Sequence, residues 1–216
     1  MRTSVTTQIA VLALVVLSLP AQAADYSIKK GATGISGSLG FGGNTGDLFK
    51  DYSGQAKLNY HVATEVKFFI SDHVAIGLSM ALSGSSLAGR RMYDAALGPM
   101  VTAYPGHSSA KLKPFVTLGV YTLSSKAREM HWVDAGWMYP GPTEVGLNIE
   151  YSGKAVYVAA GMTAMLTKHL GLSNEFRFSM ERRMPKNYPL YLPELVGRER
   201  SGQRFELSVG LSAFLF

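Results

Sequence analysis

From Gln55 to Ile70 the chain alternates apolar and polar residues with hardly a break. After a three-residue turn, Ser71-Asp72-His73, the alternation resumes. Side chains of a strand swap faces at each residue. Ala56, Leu58, Tyr60, Val62, Thr64, Val66, Phe68 and Ile70 therefore share one face, and Gln55, Lys57, Asn59, His61, Glu65 and Lys67 share the other. The next run sets Val74, Ile76, Leu78, Met80 and Leu82 against Ala75, Gly77, Ser79, Ala81 and Ser83. A soluble sheet turns long charged side chains to water. A face of Gly, Ala and Ser with a few charges of both signs suits a crowded interior instead, so the apolar face must meet something extensive and greasy. The pattern predicts a transmembrane β-barrel with lipid on the outside.

Eight strands follow from the same alternation: 31–41, 55–70, the run from Val74, then 92–104, 114–123, 154–166, 170–181 and 203–216. Pro99 has no backbone donor and predicts a local bulge in the fourth strand. The links 71–73, 105–112 and 167–169 are short, whereas 42–54, 84–91, 124–153 and 182–202 are mostly longer. Short turns at one end and longer loops at the other are the habit of such barrels, whose strand number is even in bacterial chains. Within 124–153, the alternation of Val145, Leu147 and Ile149 suggests a hairpin reaching beyond the membrane, near Trp132 and Trp137.

The N-terminus changes the picture. Arg2, the apolar run Ile9 to Leu19 and Ala21-Gln22-Ala23 predict a signal peptide over 1–23, which leaves 24–216 as one barrel domain. The apolar run falls short of the roughly 20 residues a membrane-spanning helix needs. With no Cys in 216 residues, disulfides and thiolate metal sites are excluded. Charged residues make up 17% of the chain, below the roughly 25% of soluble proteins. The net charge of +6 points to anionic lipid rather than nucleic acid in an exported protein.

Candidate chemistry falls into three groups. Lys57, His61, Glu65, Lys67, Asp94, Glu175, Arg177 and Glu181 all have inward parity. Eight strands leave room for side chains and little else, so these groups must pair with one another. Either a salt-bridge gate or a static polar plug satisfies that requirement. Arg90, Arg91, Arg182, Arg183 and Lys186 fall at the expected outer rim and suit the phosphates of lipopolysaccharide, as do Arg198, Arg200 and Arg204. Phe214 and Phe216 close the last strand and resemble a C-terminal assembly signal. Catalysis is not expected: His61 and Glu65 share a face, but a buried, hydrogen-bonded histidine accounts for them. The histidines are isolated, so neither a metal nor a cofactor site is indicated.

Several segments carry a family likeness. Lys113-Pro114-Phe115-Val116-Thr117-Leu118-Gly119-Val120-Tyr121, Leu170-Gly171-Leu172-Ser173-Asn174-Glu175-Phe176-Arg177-Phe178 and the terminal Phe216 together resemble the small eight-stranded outer-membrane barrels. That family includes the OmpA barrel domain, OmpX and OmpW. The resemblance implies an all-β, eight-stranded antiparallel up-and-down barrel in the outer membrane of a Gram-negative bacterium. It also implies recognition of Phe216 by the barrel-assembly machinery and a monomeric state. The implied role is structural or surface-interactive, without a wide pore. Two alternatives stay open: a narrow OmpW-like channel for small or hydrophobic solutes, and a soluble periplasmic lipocalin-like binder with the same alternation and the opposite facing. Lipid A-modifying barrels such as PagL need His-x-Ser on a lipid-facing strand. Only His107-Ser108-Ser109 fits that spacing, and it falls in an expected periplasmic turn. One departure stands out. Leu207, Val209 and Leu211 are out of step with Phe214 and Phe216, so either a bulge near Ser212 or a degenerate signal is expected.

Overall fold

The computed structural model describes residues 28–49, 57–87, 90–107, 109–134, 142–186 and 199–216. Eight strands run in chain order: β1 (Thr33–Thr45), β2 (Lys57–Phe69), β3 (Val74–Leu87), β4 (Arg90–Ala103), β5 (Leu112–Asp134), β6 (Pro142–Met165), β7 (Leu170–Pro185) and β8 (Arg200–Leu215). Each pairs antiparallel with its sequence neighbour, and β8 returns to β1, closing the barrel. Closure leaves the wall without the free edge that an open sheet would carry. Among the described residues no helix is long and apolar enough to cross a membrane.

The alternation read from the sequence is the facing of the wall. Val62, Val66 and Phe68 of β2 and Ile76, Leu78 and Leu82 of β3 are exposed, while His61, Glu65, Lys67 and Ser79 are buried. Every strand contributes large exposed apolar side chains, including Leu39, Leu97, Leu118, Val156, Phe176 and Leu211. A lipocalin-like binder requires the reverse, with Val, Leu and Phe lining a cavity. The facing rules it out.

Several boundaries differ from the sequence expectation. β5 and β6 pair continuously from Leu112↔Ala164 to Asp134↔Pro142, so the strands end later than 114–123 and start earlier than 154–166, and the hairpin that Val145, Leu147 and Ile149 suggested takes up most of 124–153. β3 and β4 pair as far as Leu87↔Arg90, which turns the supposed loop 84–91 into strand. Small and polar residues there read as loop because nothing local reveals that they pair across strands. Pro99 makes no bulge. It sits in register opposite Leu78, and on the other side Leu97↔Thr122 and Met100↔Gly119 share one offset, so the β4–β5 ladder skips without shifting. The missing donor is accommodated by that local gap. β8 has no bulge either: its pairing with β1 runs unbroken from Thr33↔Leu215 to Thr45↔Gln203. Phe214 therefore keeps the inward parity of Ser208, Gly210 and Ser212.

The interior is filled in layers. At the end carrying the 70–73 and 166–169 turns, Ile28, Phe69, Tyr104, Phe115, Met165 and Phe214 form an apolar plug. Its rings lie 5.4–6.1 Å apart and tilted, the arrangement aromatic side chains favour. At the opposite mouth, Gly46 has φ +98° and lets residues 46–49 fold back over the opening. Leu48 donates its backbone N–H to Ser201 O at 3.0 Å. Leu48 and Phe49 then pack with Met92, Ile149 and Tyr151 as a second apolar cap.

Candidate functional site

Between the two caps, inward-facing polar side chains from around the whole barrel meet. The lower cluster centres on Arg177 of β7. Its guanidinium donates to Glu65 Oε1 at 2.9 Å across the lumen, to Glu175 Oε1 at 2.9 Å, and to the Tyr121 hydroxyl at 2.6 Å. Lys67 Nζ lies 2.8 Å from the other Glu65 oxygen. Tyr121 and Tyr157 stack at 4.6 Å, with Arg177 over the Tyr157 ring at 4.7 Å. Ser79 shares a hydrogen bond of 2.7 Å with the Tyr121 hydroxyl.

The upper cluster joins β4, β7 and β8. Asp94 accepts from Arg183 through Oδ1 and from Arg204 Nη2 through Oδ2, the latter at 2.7 Å. Arg183 also donates to Glu181 and to Ser125 Oγ. Arg204 Nε lies 3.0 Å from Glu181 Oε1. Glu206 stands 3.5 Å from His61 Nδ1 and 3.9 Å from Arg204. Phe49 covers both guanidiniums, at 5.8 Å from Arg183 and 5.3 Å from Arg204.

These contacts explain how so many charges tolerate enclosure. A buried ion pair survives when further hydrogen bonds satisfy its remaining donors and acceptors. Here each arginine forks to two carboxylates or to a carboxylate and a hydroxyl. Stacked aromatics shield the cation faces. Between the clusters Ala96, Met100, Leu123, Ala155 and Ala159 pack around the tyrosines. Among the described residues, a void beside Glu65 and Glu175 and another beside Asp94 and Arg204 measure about 20 and 30 Å³, each the size of about one water. Chemically the arrangement is a packed polar plug between apolar caps. Among the described residues no three metal-ligating side chains converge.

Seven of the expected lumen residues come together: His61, Glu65, Lys67, Asp94, Glu175, Arg177 and Glu181. The side chain of Lys57 lies outside the described residues. Strands β2 and β7 do meet across the lumen, through Glu65 and Arg177. Sequence reasoning missed Arg183, Arg204 and Glu206. Arg183 belongs to the interior rather than to a lipid-contacting rim: it is fully buried and bound to Asp94 and Glu181. Arg204 is likewise interior. The signal that finds them is parity, since Arg183 is in step with Arg177 and Glu181, and Arg204 and Glu206 are in step with Ser208. Arg91, Arg182 and Lys186 do lie exposed toward the capped mouth. The side chain of Arg90, like Arg198 and both tryptophans, falls outside the described residues. Of the terminal aromatics, Phe214 is buried in the lower plug, whereas Phe216 is exposed and packs on His169 at 5.3 Å.

No family model and no curated protein sequence matches the chain. Solved structures do. Neisserial surface protein A aligns over 85% of this chain and 99% of its own, with TM-score 0.58 and 10% identity. The outer-membrane protein OprG of Pseudomonas aeruginosa gives 0.54 and 11% identity, covering 88% of this chain and 98% of its own. This is the fold of the eight-stranded outer-membrane β-barrels. Ail, the attachment invasion locus protein of Yersinia pestis, shares it at TM-score 0.50 and 7% identity, over 86% of this chain and 99% of that one. Identities this low carry the architecture and leave the role to be argued from the residues.

Proposed function

We propose that the protein is an integral barrel of the outer membrane of a Gram-negative bacterium. Its role is structural or surface-interactive, and it presents neither a wide pore nor a catalytic site. The observation that carries this reading is the segregation of the wall: all eight strands expose large apolar side chains, while the inward-facing charges of β2, β4, β7 and β8 are enclosed and paired. In water such a continuous apolar band is an aggregation surface. In a bilayer it is the required solvent contact. Ile28 and Phe216 lie at the end of the barrel that carries the short turns, which supports a reading with that end toward the periplasm and the β5–β6 hairpin outside. The surface role draws support from that hairpin, which continues past the last pairing of β5 with β4 at Arg91↔Arg128. A surface protein and an attachment invasion locus protein share this fold.

Outside the barrel, Arg91, Arg182 and Lys186 contact lipopolysaccharide phosphate, and Phe216 offers an aromatic terminus to the assembly machinery. The working unit is a monomer. The test is fractionation followed by gel mobility with and without boiling, then conductance in liposomes. The reading expects a membrane-retained, heat-modifiable band and no single-channel current. Carbonate extraction without a mobility shift refutes the membrane assignment. Steady single-channel currents replace the closed plug with the narrow-channel alternative.

A further inference from the structure

Two features of the outer wall meet at one place. The first is an apolar groove of about 960 Å³ crossing β2 to β6, floored by Val66, Leu78, Pro99, Leu118, Val120 and Val156. The wall beside it is built on three inward-facing glycines that the neighbouring strands approach closely. A Cβ added at Gly77 would come within 2.1 Å of Val66 O, one at Gly98 within 1.8 Å of Val120 O, and one at Gly119 within 2.4 Å of the Tyr157 ring. With no side chain to hold the strands off, the backbone closes in, and the β4–β5 ladder skips beside Pro99.

The second feature is charge. The exposed cations Arg91, Lys126, Arg128, Lys154, Arg182 and Lys186 all lie on β4 to β7 toward the capped mouth, whereas β8 and β1 turn out Ser201, Gln203 and Thr45 there. Two of the cross-strand pairs are like-charged: Lys154 is directly opposite Arg182, and Arg91 directly opposite Arg128. Like charges in that position destabilise a sheet unless an anion joins them. Glu199 reaches Arg182 only at 3.8 Å, with both side chains exposed. Among the described residues no carboxylate pairs with Lys154, Arg91 or Arg128. Lys154 sits two residues from Val156 on the same outward face, about 7 Å along the strand. The head of the groove is thus its most cationic point.

Building on the outer-membrane reading, we propose that this wall seats one phosphorylated lipid of the outer leaflet. An acyl chain lies in the groove, and a headgroup phosphate is clamped between Lys154 and Arg182. The Arg91–Arg128 pair receives a second phosphate. A lipid, rather than free phosphate, is the occupant because the cations stand at the end of an apolar channel on a surface that faces hydrocarbon.

The test uses the full folded chain in neutral detergent, with bound lipid counted by native mass spectrometry. Three probes are compared: lipid A carrying both phosphates, the same lipid dephosphorylated, and inorganic phosphate as competitor. Wild type retains the phosphorylated lipid, holds the dephosphorylated form at least tenfold more weakly, and is not displaced by equimolar inorganic phosphate. Lys154→Gln with Arg182→Gln weakens retention about tenfold or more, the size of one lost charged hydrogen bond. Val120→Trp fills the groove and weakens retention with both cations intact, and Leu118→Trp serves if that variant does not fold. Lys168→Gln, at the other end of the barrel, leaves retention unchanged. Equal retention by the cation pair variant or by both groove variants overturns the site, as does displacement by inorganic phosphate, which marks a bare anion site. A wild-type chain without heat-modifiable mobility overturns the membrane reading itself. A normal mobility shift with unaltered lipid retention overturns only the lipid seat.

Discussion

Arg182 and Arg183 are adjacent in sequence and opposite in environment, which makes them a controlled pair. Arg183 is fully buried and donates to Asp94, Glu181 and Ser125. Replacing it with Met keeps much of the volume and removes the cation, so two enclosed carboxylates share Arg204 alone. Breaking a buried pair from one side costs about 3–5 kcal/mol. Arg204 still reaches Asp94 at 2.7 Å and Glu181 at 3.0 Å, which places the expected loss near the lower end, about 3 kcal/mol. Arg182 is mostly exposed and 3.8 Å from Glu199, so Arg182→Met costs about 0–1 kcal/mol. The assay is urea unfolding in neutral lipid vesicles, scored by loss of the fast-migrating folded band. For a urea slope of about 1–3 kcal/mol per molar, Arg183→Met lowers the midpoint by about 1–3 M. Adding Glu181→Gln to Arg183→Met recovers part of that loss, because it removes one of the stranded charges. If both methionine variants unfold within about 0.5 kcal/mol of each other, the plug is not held by these charges and the reasoning fails.

The remaining predictions concern the wall and the caps. Phe214→Ala opens the lower plug and costs about 3–5 kcal/mol, whereas Phe216→Ala leaves equilibrium stability nearly unchanged and slows assembly, which unfolding curves and refolding kinetics separate. Leu78→Arg faces hydrocarbon and costs about 2–4 kcal/mol near mid-bilayer. Paired nitroxide labels at positions 78 and 79 give lipid-soluble quencher access at the first and protection at the second; the opposite result inverts the barrel. Gly98→Val collides with backbone at Val120 O and lowers the folded yield, while Gly43→Ala, with nothing within 4 Å, is tolerated; folded fraction by gel mobility checks both.

What the sequence determined by itself is the period and its meaning. Alternation over Lys57–Phe69 and Val74–Ser83 assigned strand and facing, because a one-residue step reverses every side chain. It also named seven inward groups of the plug. Partnership was beyond it. Glu65 meets Arg177 and Asp94 meets Arg183 and Arg204 only because closure brings β2, β4, β7 and β8 around one axis, and no local pattern encodes a contact across a lumen. Strand ends were equally hidden: β7 runs past Glu181 because Arg182 and Arg183 find partners on β6 and β8, which turns Arg183 inward. The groove beside Pro99 and the cations gathered at its head depend on register between neighbouring strands. Register is a property of the closed sheet, fixed when all eight strands satisfy their hydrogen bonds together.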